Sequence, residues 1–252
     1  MDINGSVAIV TGANRGIGEG FVRVLLASGA RKVYAGSRDP QAAAHLVAEF
    51  PGRCEAIELD VTDAGEVTAA AAHCGDVNLL VNNAGSFTNR RLIGASDMSG
   101  AREEMEVNYF GVLAMCRAFA PVLARNGGGA IVNVLSAAAI VNLPIMGGYP
   151  PSKSAARSLS TGVRAELSEQ GTQVIALIVG SVDTRMAAHV AGAKETPEDI
   201  ARAGLKAVKH GIDEMDTDAM ATEVRAGIAL DPKAMERRFA RMLKNTSIKT
   251  GR

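Results

Sequence analysis

Val7 Ala8 Ile9 Val10 Thr11 Gly12 Ala13 Asn14 Arg15 Gly16 Ile17 Gly18 is the stretch on which the fold turns. Val7 to Thr11 reads as a buried strand, the glycine cluster as a turn, and Gly16 to about Ser28 as a helix. A glycine turn leading from a strand straight into a helix has a physical use. Without side chains the backbone bends sharply and can approach a diphosphate, and the free N–H groups and positive dipole at the helix N-terminus favour the anion. The same residues also suit a tight turn that holds no ligand.

Outward from that unit, short apolar runs recur at Lys32 to Ser37, Cys54 to Leu59, Leu79 to Asn82, Ala130 to Leu135 and Val174 to Val179. Helical patterns lie between them, near Gln41 to Glu49, Ala64 to Ala72, Ala101 to Arg125 and Tyr149 to Gln170. Strand and helix alternating in this way predict a doubly wound parallel sheet, an α/β/α sandwich, because each crossover must pass over a face of the sheet. An eight-stranded α/β barrel is the competing architecture, but six strands are legible, not eight. Two later helices are predicted from Thr196 Pro197 and Asp231 Pro232, each an N-cap followed by a first-turn proline, and a short strand near Ile212 to Met215. No linker or repeat divides residues 1–252, so they read as a single domain, with a substrate-binding loop and helices near 185–250.

Composition narrows the function. Of 252 residues, 27 are Lys or Arg and 27 are Asp or Glu, so a formal charge of zero gives no general attraction to nucleic acid or an anionic membrane. Cys54, Cys74 and Cys116 are odd in number and widely spaced, which argues against a disulfide framework or a zinc site and for a reducing cytoplasm. His45, His73, His189 and His210 lack metal-ligand spacing, and no metal site is expected. Met1 to Gly5 has no basic, apolar leader pattern, and apolar runs elsewhere look too short for a bilayer.

Tyr149 and Lys153 stand four apart at the start of a helical pattern, which puts both side chains on one face. A free phenol is barely ionised at neutral pH, and a neighbouring ammonium would lower its pKa, so the pair is expected to yield an acidified tyrosine. Ser136 follows a strand, at the edge where open α/β sheets hold ligands. It would serve a substrate carbonyl there, or simply cap the strand end. Asn108 lies in Val107 Asn108 Tyr109 Phe110 Gly111, where a kinked helix backbone is the plainer use for it.

Together the spacing Thr11 Gly12, Gly16, Gly18, the run Asn82 Asn83 Ala84 Gly85, Asn108, Ser136, Tyr149 and Lys153 resemble the short-chain dehydrogenase/reductase family, over residues 7 to about 185. The resemblance implies a Rossmann fold and a nicotinamide cofactor. It implies that Ser136 polarises the carbonyl, Tyr149 transfers the proton, Lys153 holds the nicotinamide ribose and lowers the phenol pKa, and Asn108 binds a relay water. Cofactor contacts are implied for Gly12, Asn14, Arg15, Gly16, Ile17, Gly18, Asp60, Val61, Asn83, Ala84, Gly85, Tyr149, Lys153, Val182 and Thr184. Two departures stand out. Pro150 and Pro151 follow the tyrosine, so the helix must begin at or just before Tyr149, entered through Gly147 and Gly148. Val179 Gly180 stands where the family has Pro-Gly.

Arg38, Ser37 and Arg15 offer cations and a hydroxyl where NAD-preferring sites place a carboxylate, which points to NADP(H), with NAD(H) the alternative because Asp39 is one place further on. The loops expected to line the substrate site are Ser86 to Arg91, Ala137 to Gly148 and Arg185 to about Ala193. The middle one is almost wholly apolar, which suggests a hydrophobic, bulky ketone, aldehyde or alcohol, unless those side chains only pack beneath it. Lys233, Arg237, Arg238, Arg241, Lys244, Lys249 and Arg252 make a basic tail that reads as the solvated face of a helix packed through Met235, Phe239, Met242 and Leu243. The expectation is therefore an NADP(H)-linked carbonyl reductase or alcohol dehydrogenase, assembled as a dimer or tetramer, without nucleic-acid or membrane partners. The alternatives are an NAD-dependent alcohol dehydrogenase of the same fold, a non-catalytic nucleotide sensor, or an epimerase or dehydratase using transient oxidation.

Overall fold

The computed structural model describes residues 1–184 and 194–245. Its strands are β1 (Val7–Thr11), β2 (Lys32–Ser37), β3 (Cys54–Glu58), β4 (Leu79–Asn82), β5 (Gly129–Val134), β6 (Thr172–Ile178) and β7 (Glu214–Asp216). They form one sheet in the order β3-β2-β1-β4-β5-β6-β7, and every pairing is parallel. The open sheet excludes a closed barrel. Its order reverses between β1 and β4, and that switch point is where a parallel sheet leaves a crevice beyond its carboxyl edge.

Alternation along each strand serves two cores. Ala8 and Val10 face Phe21 and Leu25 of α1 (Gly16–Ala27) and Ile200 and Leu205 of α7 (Pro197–His210). Val7 and Ile9 face the other way, toward Val67 of α3 (Ala64–His73) and Met115, Phe119 and Leu123 of α5 (Val112–Arg125). Burial of each such large side chain stabilises by roughly 1.5–3 kcal/mol, so both faces are strongly anchored. The smaller α2 (Ala44–Glu49) lies beside β3.

One helical run, Ser99–Arg125, joins α4 (Ser99–Met105), a π-helical turn over Glu106–Gly111, and α5. With a mean hydropathy of 1.5 over its most apolar window, it is long and apolar enough by length and composition to cross a membrane. That corrects the sequence expectation that apolar runs are too short. In the fold, Met115, Cys116, Phe119 and Leu123 of this run are spent on the sheet.

The tyrosine helix α6 (Tyr149–Glu166) starts where the two prolines require, with Gly147 in the left-handed region at φ +60° and Gly148 as the cap. Pro150 and Pro151 sit in its first turn, where N–H groups have no intrahelical acceptor in any case. Beyond β7 come α8 (Ala219–Leu230), α9 (Pro232–Ala240) and α10 (Met242–Asn245). Two later helices were expected from capping residues, but α8 and α10 accompany α7 and α9. Met235 and Phe239 of α9 and Val224 of α8 are buried in a cluster with Ala137, Val141, Leu143 and Tyr149. The basic residues Arg237, Arg238 and Arg241 lie on the exposed side and Met242 packs against the cluster, but Leu243, expected in the packed stripe, is exposed, and Lys249 and Arg252 lie outside the described residues.

Candidate active site

The glycine turn closes over the carboxyl end of β1, with Gly12 at φ +62° and Gly16 at φ +56°. Gly18 approaches so closely that a side-chain carbon there would lie 2.3 Å from the Gly12 carbonyl oxygen. The turn is fastened from beneath. Thr11 Oγ1 accepts from the Asn83 and Ala84 amides at 2.9 Å each, and Asn83 Nδ2 donates to the carbonyls of Thr11 at 2.9 Å and Gly12 at 3.1 Å. Asn83, Ala84 and Gly85 therefore knit the end of β4 to the first turn. The N-terminus of α1, at Arg15, has no side-chain cap, as is also true of α2, α4 and α6, whereas α3, α7, α8 and α9 are capped by Asp63, Thr196, Asp218 and Asp231. A side-chain-free cradle before an uncapped helix start fits a dinucleotide diphosphate.

Other residues singled out in the sequence ring this cradle. Asn14 and Ile17 are half-buried in the turn, and Arg15 is exposed. At the end of β2, Arg38 is exposed, while the buried Ser37 hydroxyl donates to the Asp39 carbonyl at 2.7 Å. Ser37 was expected to donate to a ribose phosphate, but its proton is engaged locally. The Asp39 carboxylate accepts from the Gln41 amide at 3.0 Å, as the cap of a short 3-10 turn. After β3, Asp60 accepts from the Thr62 amide and hydroxyl at 2.9 and 2.7 Å, and Val61 is buried against Gly111. Val182 is buried, and Thr184 Cγ2 packs over Gly16. Of the expected substrate loop, residues 185–193 lie outside the described residues, as does His189.

Tyr149, Lys153, Asn108 and Ser136 meet at the carboxyl edge of β4 and β5. Tyr149 is 7% exposed and Lys153 5%, and Lys153 Nζ lies 5.7 Å from the centre of the tyrosine ring. That nitrogen donates to the Val134 carbonyl at 3.0 Å. The fully buried Asn108 sits in the π-helical turn and donates through Nδ2 to the Ser86 carbonyl and to Ser152 Oγ, both at 2.9 Å; Ser152 in turn donates to the Tyr149 carbonyl at 2.8 Å. Ser136 Oγ accepts from the Ala138 amide at 3.1 Å and hydrogen-bonds the phenol. Phe87 meets the Tyr149 ring edge to face at 5.4 Å.

Electrostatics reverse one expectation. Burial strips water from the phenolate and pushes the Tyr149 pKa up to about 12; the Ser136 hydrogen bond works against this, and the nearby Glu104 carboxylate adds to it. Burial also pushes the Lys153 ammonium down to about 8, and its Nζ is aimed at a backbone carbonyl, so burial and not the neighbouring cation sets the direction of the phenol's shift. The phenol is therefore protonated at neutral pH, as an ordinary tyrosine is, and can act as a proton donor.

Sequence comparison agrees with this geometry: the family model described as short chain dehydrogenase matches residues 6–195. The chain is a short-chain dehydrogenase/reductase, an oxidoreductase family. Among curated relatives of this dehydrogenase, the mouse (Mus musculus) dehydrogenase/reductase SDR family member 7B is 30% identical over 198 residues, which is 74% of this chain, and the chain spans 61% of that relative's length. The galactitol 2-dehydrogenase (L-tagatose-forming) of Cereibacter sphaeroides is 38% identical over 205 residues, 78% of each protein. A solved short chain dehydrogenase from Burkholderia cenocepacia J2315, in complex with NADP, is 43% identical, superimposes with a TM-score of 0.89, and matches 95% of this chain and 99% of that one.

Two features of the site escaped the sequence reading. Glu104 is wholly buried on α4, near the phenol. Its signal was its place four residues before Asn108, hence on the same helical face. The second is a buried polar chain behind the site: Asn82 Nδ2 donates to Asn133 Oδ1, Asn133 Nδ2 to Ser160 Oγ, and Ser160 Oγ to the Ala156 carbonyl, at 2.8–2.9 Å each. It ties β4 and β5 to α6. Asn82 and Asn133 face each other in register on β4 and β5, and the only trace in the sequence is an asparagine near the end of each strand.

Proposed function

We propose that this short-chain dehydrogenase/reductase interconverts an apolar ketone or aldehyde and its alcohol with NADP(H), using Tyr149 as general acid and base. The observation that carries the reading is the buried phenol, protonated at neutral pH, beside Ser136 and Lys153 at the carboxyl edge of the sheet. The glycine turn, Asn83 and Thr184 would hold the dinucleotide, and Arg38 and Arg15 a 2′-phosphate, since the Asp39 carboxylate is already used by the Gln41 amide. The NADP-bound Burkholderia relative supports the same preference. A nicotinamide dinucleotide bound there supplies or accepts the hydride.

In the reductive direction Ser136 orients the substrate oxygen and Tyr149 donates its proton to that oxygen as negative charge grows on it. The phenolate left behind is balanced by the Lys153 ammonium, which is still mostly charged at neutral pH with a pKa near 8. Asn108 fixes the entry to α6 through Ser152, and so the height of the tyrosine. The apolar class is inferred from the lining: Ala137, Ala138, Val141 and Leu143 are buried with the tyrosine, beside Phe87 and Met146. A polyol is the second reading, favoured by the likeness to a galactitol dehydrogenase.

Near-ultraviolet absorbance of the reduced nicotinamide, followed with a panel of carbonyls and both cofactors, tests this. Turnover of apolar ketones with NADPH is expected. Turnover confined to polyols and ketoses, or to NADH, would overturn the substrate or the cofactor assignment respectively.

A further inference from the structure

The peptide joining Val179 to Gly180, just past the end of β6, is clamped by both of its polar groups. Its carbonyl accepts from the Ala137 amide at 2.8 Å, next to Ser136, and its N–H donates to Asp218 Oδ2 at 2.7 Å. The same carboxyl group caps α8, with Oδ1 accepting from the Ala221 amide at 2.9 Å, and Oδ2 also accepts from the Thr217 hydroxyl at 2.8 Å. Gly180 is fitted to that group: a side-chain carbon there would lie 2.1 Å from Asp218 Oδ1. The φ of Gly180 is not positive, so crowding by Asp218, and not backbone conformation, is what calls for glycine.

The two partners lead to different walls of the site. From Gly180 the chain runs through the buried Val182 to Thr184, whose Cγ2 packs over Gly16 of the glycine turn. From Asp218 it enters α8, where Ala221 is buried in a cluster with Leu135 and Ala139, and Val224 in the cluster that holds Tyr149. The 180–184 segment leaves the sheet at β6, on the Tyr149 side of the switch point, whereas Arg38 and Asp60 follow β2 and β3 on the other side. The reacting half of a dinucleotide laid across that point therefore lies toward Gly180, and its adenosine half away from it.

We propose that Asp218 is a positioning residue for the nicotinamide half of the cofactor, setting the root of the 180–184 segment and the start of α8 together so that the two walls keep one spacing. The inference rests on the reading of this chain as NADP(H)-dependent. Among the described residues the Asp218 side chain bonds only Gly180, Thr217 and Ala221, so it acts through the segments it joins and not on the reacting atoms.

The test is calorimetric binding of NADPH, and of adenosine 2′,5′-bisphosphate, which lacks the nicotinamide half, to wild type and to Asp218→Ser. Serine caps a helix about as well as aspartate but is shorter, so α8 keeps its start while the Gly180 amide loses its acceptor. NADPH affinity should fall by about tenfold, and affinity for the bisphosphate should stay within about twofold. Gly180→Ala attacks the same contact from the other side and carries the test if the serine variant does not fold. Combined, the two changes should lose no more NADPH affinity than the larger single loss, because they break one contact. Equal losses for the two ligands, no loss for either, or additive losses in the double variant overturn the inference. A wild type that binds neither ligand overturns the cofactor reading instead, and the inference with it.

Discussion

Two turns at the same edge of the sheet are built on opposite plans. The β1–α1 turn, Gly12 to Gly18, is shaped by side chains that are missing, and it is pinned through backbone groups by Thr11 and Asn83. The β5–α6 connection, ending at Tyr149, is shaped by side chains from far along the chain: Glu104 of α4, Asn108 of the π-helical turn, Val224 of α8 and Phe239 of α9. The first plan leaves amides open to an anion, and the second encloses a phenol. Binding and proton transfer are thus separable, and substitutions can break one without the other.

The largest effect on cofactor binding is expected at the first turn. Gly18→Val puts carbon where only 2.3 Å separates the position from the Gly12 carbonyl, so NADPH binding should weaken by roughly 100-fold or more, about 2.7 kcal/mol. The Tyr149 titration of the resting protein should stay in place, and calorimetry and absorbance read the two halves separately. Arg38→Ala keeps the turn and removes the cation for the 2′-phosphate. The ratio of NADPH to NADH affinity should fall by about tenfold, and equal losses for both cofactors would deny Arg38 its selective role.

A third effect is a slope of stability with pH at the second turn. Lys153 titrates near 8 when folded against 10.5 in the exposed chain, so between those values the unfolded state holds a proton that the folded state has shed. Stability from this group therefore rises with pH across that window. Tyr149 acts with the opposite sign above 10, where the folded state keeps the proton that the unfolded chain loses. Lys153→Met should flatten the rise from pH 8 toward 10, as read by urea midpoints of the cofactor-free protein. An unchanged slope would show that the lysine is not held in a desolvated place.

The same contrast explains what was legible in the sequence. Strands β1 to β6 announce themselves as apolar runs, and the first turn is readable because its glycines and the Asn82 to Gly85 run are local patterns. The strand β7 is three half-buried residues, Glu214, Met215 and Asp216, in which Arg157 and Arg225 pair with the two carboxylates. Ion pairs across elements leave no periodicity, so only its neighbourhood was foreseen. Helix α8 was missed although Asp218 caps it and Met220, Val224 and Ile228 recur at helical spacing. At the second turn, Tyr149 and Lys153 were found by spacing, but the direction of the phenol's shift was not. Spacing says that two groups are near each other, whereas burial, which decides the sign here, depends on packing from distant residues. Glu104 was passed over for the same reason, since a glutamate on a helix reads as a solvated face.

The role given to Tyr149 is tested most directly by single-turnover carbonyl reduction with Tyr149→Phe, with NADPH affinity measured on the same preparation. Phenylalanine keeps the ring against Phe87 and removes the hydroxyl with its proton. The account predicts cofactor affinity close to wild type and a reduction rate lower on the order of 10²–10⁴-fold. A variant that binds NADPH and reduces the ketone within about tenfold of wild type would contradict it.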